Sequence, residues 1–236
     1  MAMVAATPPG EVTAWHRPEA SDSGRVVATS GLFPLWENTG VLLAPSRVYL
    51  GTSQLAAALG SRVQVGLNPL RYAFRTPNLG VKVSLVQSPR VAVAANAEVL
   101  WLMPGSSEMF STSNFSARLD TSQRSIVAVP MSISATTALT PSLLLHLTVT
   151  ELFRTTSRPG LQTSSGASAV VEWRPLTHHA MAAHVTEVGF WQHDFFQFGA
   201  SYRYQRSIFE ARLGVAYQLR ADGPRVVPAA SIGVEL

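Results

Sequence analysis

The chain has 236 residues, 47% of them hydrophobic and only 14% charged, with a formal net charge of +4 and no cysteine. A soluble domain carries about 25% charged residues, so much of this surface is not built to face water. The absence of cysteine excludes a disulfide framework, thiol chemistry and any cysteine-based metal site. The 18 Lys and Arg residues are mostly Arg and stand singly, which argues against the basic runs of a nucleic-acid binder. No stretch reaches the roughly 18 to 20 uninterrupted apolar residues of a transmembrane helix. The remaining way to place such a chain in lipid is a closed β-barrel, which pairs its backbone polar groups and leaves no edge.

Residues 1–24 contain Pro8, Pro9 and Pro18 with interspersed acidic residues, and read as a flexible N-terminal segment, either a periplasmic tail or a lumenal one. Met1 to Gly10 lacks the basic segment and long apolar core of a secretory signal, so the sequence is expected to be a mature form. From residue 25 onward, period-two alternation predicts strands. Those of the first half are Arg25–Leu32, Arg47–Ser53, Arg62–Asn68, Asn78–Val86, Arg90–Trp101 and Ser125–Ala138. The second half adds Ser142–Phe153, Ser165–Arg174, Ala180–Phe190, Phe196–Gln205, Ile208–Leu219 and Val227–Leu236. The fold class is therefore all-β: a transmembrane antiparallel up-and-down barrel of about twelve strands over residues 25–236. The first two strands carry the weakest pattern, so ten is the alternative.

The alternation is clearest in Phe209–Leu219, where Phe209, Ala211, Leu213, Val215, Tyr217 and Leu219 share one face. Glu210, Arg212, Gly214, Ala216 and Gln218 share the other. Runs of about ten residues suffice to cross a bilayer at a barrel's tilt. The second face is dominated by Gly, Ala, Ser and isolated charges, which suits a crowded lumen better than a solvated surface. Trp101, Phe153, Trp173, Phe190, Trp191, Tyr202 and Tyr204 lie near strand ends, where interfacial girdles form. Tight turns are predicted at Gln87–Arg90, Thr140–Pro141, Pro175–His178 and Arg206–Ser207. They alternate with longer connections at Met103–Arg124, Arg154–Ser164 and Gln192–Asp194. Met103–Arg124 is the expected large external loop.

The C-terminal run Ala230, Ile232, Val234 and Leu236 alternates to the last residue. It resembles the terminal β-signal of Gram-negative outer-membrane β-barrel proteins, although that class usually ends in Phe or Trp. The resemblance is to the class and to no single family within it. It implies a bacterial outer-membrane location, contact with outer-membrane lipid and recognition by the barrel-assembly machinery, with the even strand number returning both termini to the periplasmic side.

The candidate site is the set of charges on the lumen face: Lys82, Glu98, Glu172, Arg174, Arg203, Glu210 and Arg212. A turn at Arg206–Ser207 sets Arg203 opposite Glu210 and predicts a cross-strand ion pair. Arg174, Arg203 and Arg212 would favour anions at a constriction; the mixed signs fit charges that neutralise one another and fill the lumen. For catalysis, the pairs His146 with Thr148 and His184 with Thr186 come nearest to a His–x–Ser pattern on a strand, with Thr in place of Ser. His178, His179, His184 and His193 match no zinc spacing. No catalytic residue, metal or cofactor is expected, and no nucleic-acid partner. The expected function is non-enzymatic: a narrow pore for small solutes, or else a plugged barrel anchoring an envelope complex with other envelope proteins as partners. A lipid-modifying enzyme stands third.

Overall fold

Apolar β-formers recur at every second position through most of the chain, and these runs become strands. The structure, a computed structural model, describes residues 39–104, 125–155, 161–176, 178–188, 195–220 and 223–236. Among them are twelve strands and one short helix. They are β1 (Val48–Gly51), β2 (Leu55–Leu59), β3 (Val63–Leu67), α1 (Pro69–Ala73), β4 (Asn78–Gln87), β5 (Val91–Leu102) and β6 (Ile126–Thr140). After them come β7 (Leu143–Thr155), β8 (Leu161–Leu176), β9 (His179–Val188), β10 (Phe195–Arg206), β11 (Phe209–Arg220) and β12 (Arg225–Glu235). Each strand pairs antiparallel with its sequence neighbour, and β1 pairs with β12 to close the barrel.

The expected count of twelve holds, but its first members differ. The expected strand Arg25–Leu32 lies outside the described residues, as does the boundary placed at residue 24. The additional strand is β2, whose Leu-Ala-Ala-Ala-Leu sequence has no polar residue to show an alternation. Of the expected connections, most of Met103–Arg124 and all of Gln192–Asp194 are also outside the described residues. The turn between β10 and β11 is Ser207–Ile208, with Ser207 in the left-handed region at φ 53°. The register is therefore shifted from expectation: Gln205 sits opposite Glu210, and Arg203 opposite Arg212.

Successive side chains take opposite sides of the wall. On β11, Glu210, Arg212 and Ala216 are buried inward, whereas Leu213 and Val215 point outward and are exposed. On β7, Leu144, His146 and Thr148 are buried, and Leu147 and Val149 are exposed. The barrel is thus apolar outside and largely polar inside, the reverse of a soluble barrel and the arrangement of a transmembrane one. Trp101 and Phe153 lie near one rim. Trp173, Tyr202 and Tyr204 lie near the other, where His179 Nδ1 and the Tyr202 hydroxyl are 2.5 Å apart. Phe190 and Trp191 are outside the described residues.

The two rims differ. At the turn end, short turns join β2 to β3, β4 to β5, β6 to β7, β8 to β9 and β10 to β11, and the chain both enters β1 and leaves β12 there. The other connections form the loop end. The wall also differs in height: β4 to β12 have 10 to 16 residues, but β1, β2 and β3 have 4, 5 and 5.

Candidate functional site

Near the turn end, inward-facing charges from several strands meet in one belt. Glu172 of β8 pairs with Arg174 two residues on, and its other oxygen lies 3.0 Å from His146 Nε2 on β7. Arg203 of β10 lies between two carboxylates, with its guanidinium 3.7 Å from Glu172 and 3.6 Å from Glu210. Glu210 also accepts from Arg212 Nε at 2.6 Å and from the Tyr49 hydroxyl at 2.9 Å. The anticipated Arg203–Glu210 pair is therefore present, but it is reached diagonally across the β10–β11 ladder. Glu172, Arg174, Arg203, Glu210 and Arg212 are all buried. Three arginines against two glutamates leave little unbalanced charge, and isolated ions could not be held here at such burial.

Tyr49 completes the belt at the closing seam. Its ring lies against Gly51 and Gly233, where an added Cβ would sit 2.5 Å from Tyr49 Cε1 and 2.3 Å from the Tyr49 hydroxyl. Only glycine at 233 lets the ring lie flat on the wall and carry its hydroxyl to Glu210. The Arg212 guanidinium stands 5.6 Å from the ring centroid, within cation–π range.

The segment Thr39–Leu43 runs inside the barrel. Gly40 is pressed on the inner wall, where a Cβ would lie 2.1 Å from the Ala92 carbonyl oxygen and 2.8 Å from Thr136 N. Gly40 N donates to Thr136 Oγ1 at 2.9 Å, and Leu43 N to Gln64 Oε1 at 2.9 Å. Lys82 Nζ donates to the Val41 carbonyl and, at 3.3 Å, to Thr39 Oγ1. Val41 packs with Ala92 and Leu144, and Leu43 with Tyr49, Ala56 and Ala58. These contacts seat the segment, called the plug below, against the inner wall near the turn end.

Plug and belt are joined. Thr136 Oγ1, which accepts from Gly40, is 2.8 Å from His146 Nδ1, and His146 continues to Glu172. The series Thr136, His146, Glu172 has the order of a nucleophile, base and acid. Yet the Thr136 hydroxyl already accepts from Gly40, and Thr136 is 0% exposed. The series thus links plug and belt through buried hydrogen bonds. The second His–x–Thr pair sits on β9, where Gln197 Nε2 donates to His184 Nε2 at 2.9 Å and Gln218 donates to Gln197 at 2.8 Å.

Of the anticipated lumen charges, Lys82 grips the plug and five form the belt. Glu98 stands apart near the loop end, half-buried and 2.5 Å from Arg71 of α1. Asn68 caps this helix by accepting from Leu70 N at 3.0 Å. Tyr49, Arg71, Gln64 and Thr136 were missed in the sequence. Tyr49 belongs to a strand of four residues, and Arg71 to a helix of five, both too short to display a period. Among the described residues, no group of three or more His, Asp or Glu is arranged to hold a metal ion.

No family model and no curated protein matches the chain. Solved structures similar to it include the KdgM porin in complex with disordered oligogalacturonate, at 7% identity over 80% of this chain and 95% of that one, with a TM-score of 0.47. The outer-membrane OmpT of Vibrio cholerae is similar at 11% identity over 77% and 63%, TM-score 0.43. The CymD monoaromatic hydrocarbon channel is similar at 8% identity over 77% and 71%, TM-score 0.41.

Proposed function

We propose that the chain is a non-enzymatic barrel of the bacterial outer membrane. In this reading it offers a narrow pathway for small solutes, held shut at its turn end by the plug. The apolar exterior and polar lumen support the bilayer placement. The observation that carries the gated pathway is the grip of Lys82 on the Val41 carbonyl of a segment lying inside the wall. A plug tethered by a few hydrogen bonds, through a glycine that fits only flush to the wall, is a part that can unseat without unfolding the barrel. The alternative is a permanently plugged scaffold in an envelope complex. It draws support from the series Thr136, His146 and Glu172, which ties the plug into buried ion pairs.

Single-channel conductance in a planar bilayer separates the two. Gly40→Val, whose side chain collides with the Ala92 and Thr136 backbone, and Lys82→Met should each turn a silent or rarely opening protein into one with frequent steps. Continued silence from both variants, when correctly folded, would exclude the gated pathway in favour of the scaffold.

A further inference from the structure

The outer face of β7 to β10 sorts its charges by end. Glu151 of β7 and Glu187 of β9 alternate with the buried Leu152 and Thr186, so both face outward, toward the loop end. Arg206 closes β10 at the turn end, opposite Phe209, and faces outward with it. Arg62 and Arg90 are also exposed at turn-end connections. Among the described residues no exposed Asp or Glu side chain stands at that end; Glu235 there is buried. The turn-end rim is therefore basic, and its outer edge is basic at Arg206.

Arg206 does not stand alone. Tyr202 and Tyr204 precede it on the same face of β10, and His179 of β9 lies opposite Tyr204. The His179 ring is held between the two tyrosines, with centroids 5.9 Å from Tyr202 and 5.3 Å from Tyr204. His178 adds a ring 6.4 Å from Tyr204. His179 Nδ1 and the Tyr202 hydroxyl, 2.5 Å apart, share one hydrogen bond. Whichever of them donates it, the pair keeps a second donor. That donor is imidazole Nε2–H if Nδ1 accepts, and the phenol O–H if Nδ1 donates. Arg206 and His178 are exposed, and among the described residues no carboxylate pairs with Arg206.

On the loop-end side of this cluster the exposed surface turns apolar, through Met181, Leu213, Phe198 and Val215. A guanidinium with imidazole and phenol donors, set at the edge of an apolar wall, matches a phosphate that hangs from acyl chains. The guanidinium fork fits two phosphate oxygens, and tyrosine rings settle at the level of lipid headgroups. An acidic soluble partner would meet the charge and gain nothing from the wall beside it.

We propose that Arg206, His179, Tyr202 and Tyr204 form a seat for the phosphate of one anionic phospholipid in the turn-end leaflet, with its acyl chains on Met181, Leu213 and Phe198. This rests on the bilayer placement proposed above and adds a lipid of defined charge as a partner of the outer wall. The same stretch of β10 carries Arg203 inward to Glu172 and Glu210, so the bound lipid steadies the strand that presents the middle of the belt.

The test has two steps. Protein refolded into vesicles of phosphatidylcholine alone should remain with them on flotation. Native mass spectrometry then compares retention of phosphatidylglycerol and phosphatidylcholine with matched acyl chains. One phosphatidylglycerol should be held about fivefold or more tightly than phosphatidylcholine, the worth of one basic group at an anionic surface. Arg206→Gln should bring that ratio close to parity. His179→Phe, which keeps the ring stack and removes the nitrogens, should lower it in part, and Arg90→Gln, on another turn, should leave it unchanged. Flotation without a lipid preference overturns the seat and leaves the bilayer placement standing, as does a preference lowered equally by Arg90→Gln and Arg206→Gln. Failure of the folded protein to float overturns both.

Discussion

The tall wall, β4 to β12, and the low wall, β1 to β3, solve different problems with the same strand geometry. The tall wall has strands of 10 to 16 residues, enough to cross a bilayer, for which about 9 to 11 are needed. It carries an apolar stripe on its outer face and most of the ion-pair belt on its inner face. The low wall cannot cross. It makes the seam, holds Leu43 of the plug against Tyr49, Ala56 and Ala58, and ends halfway up. Closure of a barrel and passage through a membrane are thus separate requirements, met here by separate sectors.

Five substitutions test that contrast, the first four read as unfolding midpoints in detergent or vesicles. The largest effect is expected from Glu172→Ala on the tall wall. It leaves Arg174, Arg203 and His146 without the carboxylate they share, and breaking a buried ion pair costs about 3–5 kcal/mol. Next, the same charge placed on each wall should behave differently. Val149→Arg, mid-strand on β7, is expected to cost about 2–4 kcal/mol, and Leu59→Arg, at the turn-end tip of β2, about 0–1 kcal/mol. Equal costs would show that the low wall is as deep in lipid as the tall one. Third, Tyr49→Phe removes the hydroxyl that reaches Glu210 from the seam. Its expected cost of about 1–3 kcal/mol should be accompanied by faster hydrogen exchange in β1 and β2 and little change in β7. The smallest stability change is expected from Pro228→Val, which returns an N–H to the side of β12 facing away from β11, beyond the described β1–β12 pairing. Its effect should instead be an increase in cross-linked dimers at raised protein density, because the edge becomes able to pair.

The tall wall was legible in the sequence because its strands are long enough to show their period. The expected Ile208–Leu219 and Phe196–Gln205 lie within one residue of β11 and β10 at each end, and alternation alone assigns the seven lumen charges to a face. Of the low wall, β1 and β3 fall within the expected Arg47–Ser53 and Arg62–Asn68, and only β2 was not legible. Leu55–Leu59 contains no polar residue, so its two faces look alike. The belt was legible only as a list of inward residues. Which of them touch depends on a register fixed by one turn, and the left-handed Ser207 moved that turn by one residue. The plug was invisible for a different reason. Thr39, Gly40, Val41, Leu42 and Leu43 have no pattern of their own, and their burial comes from partners between 21 and 96 residues away.

The plug and the closing strand are one continuous stretch, Thr39 to Gly51, with only the turn around Ser46 between them. This sets an order of events. The hairpins of β4 to β12 bring together neighbours in sequence and carry a small entropic cost of loop closure. The contact of Tyr49 with Glu210 spans 161 residues and must wait for them. When β1 finally meets β12, Thr39–Leu43 is drawn inside by the same movement, so the barrel cannot be zipped without being filled. Run backwards, the first strand to let go is the one that pulls the plug.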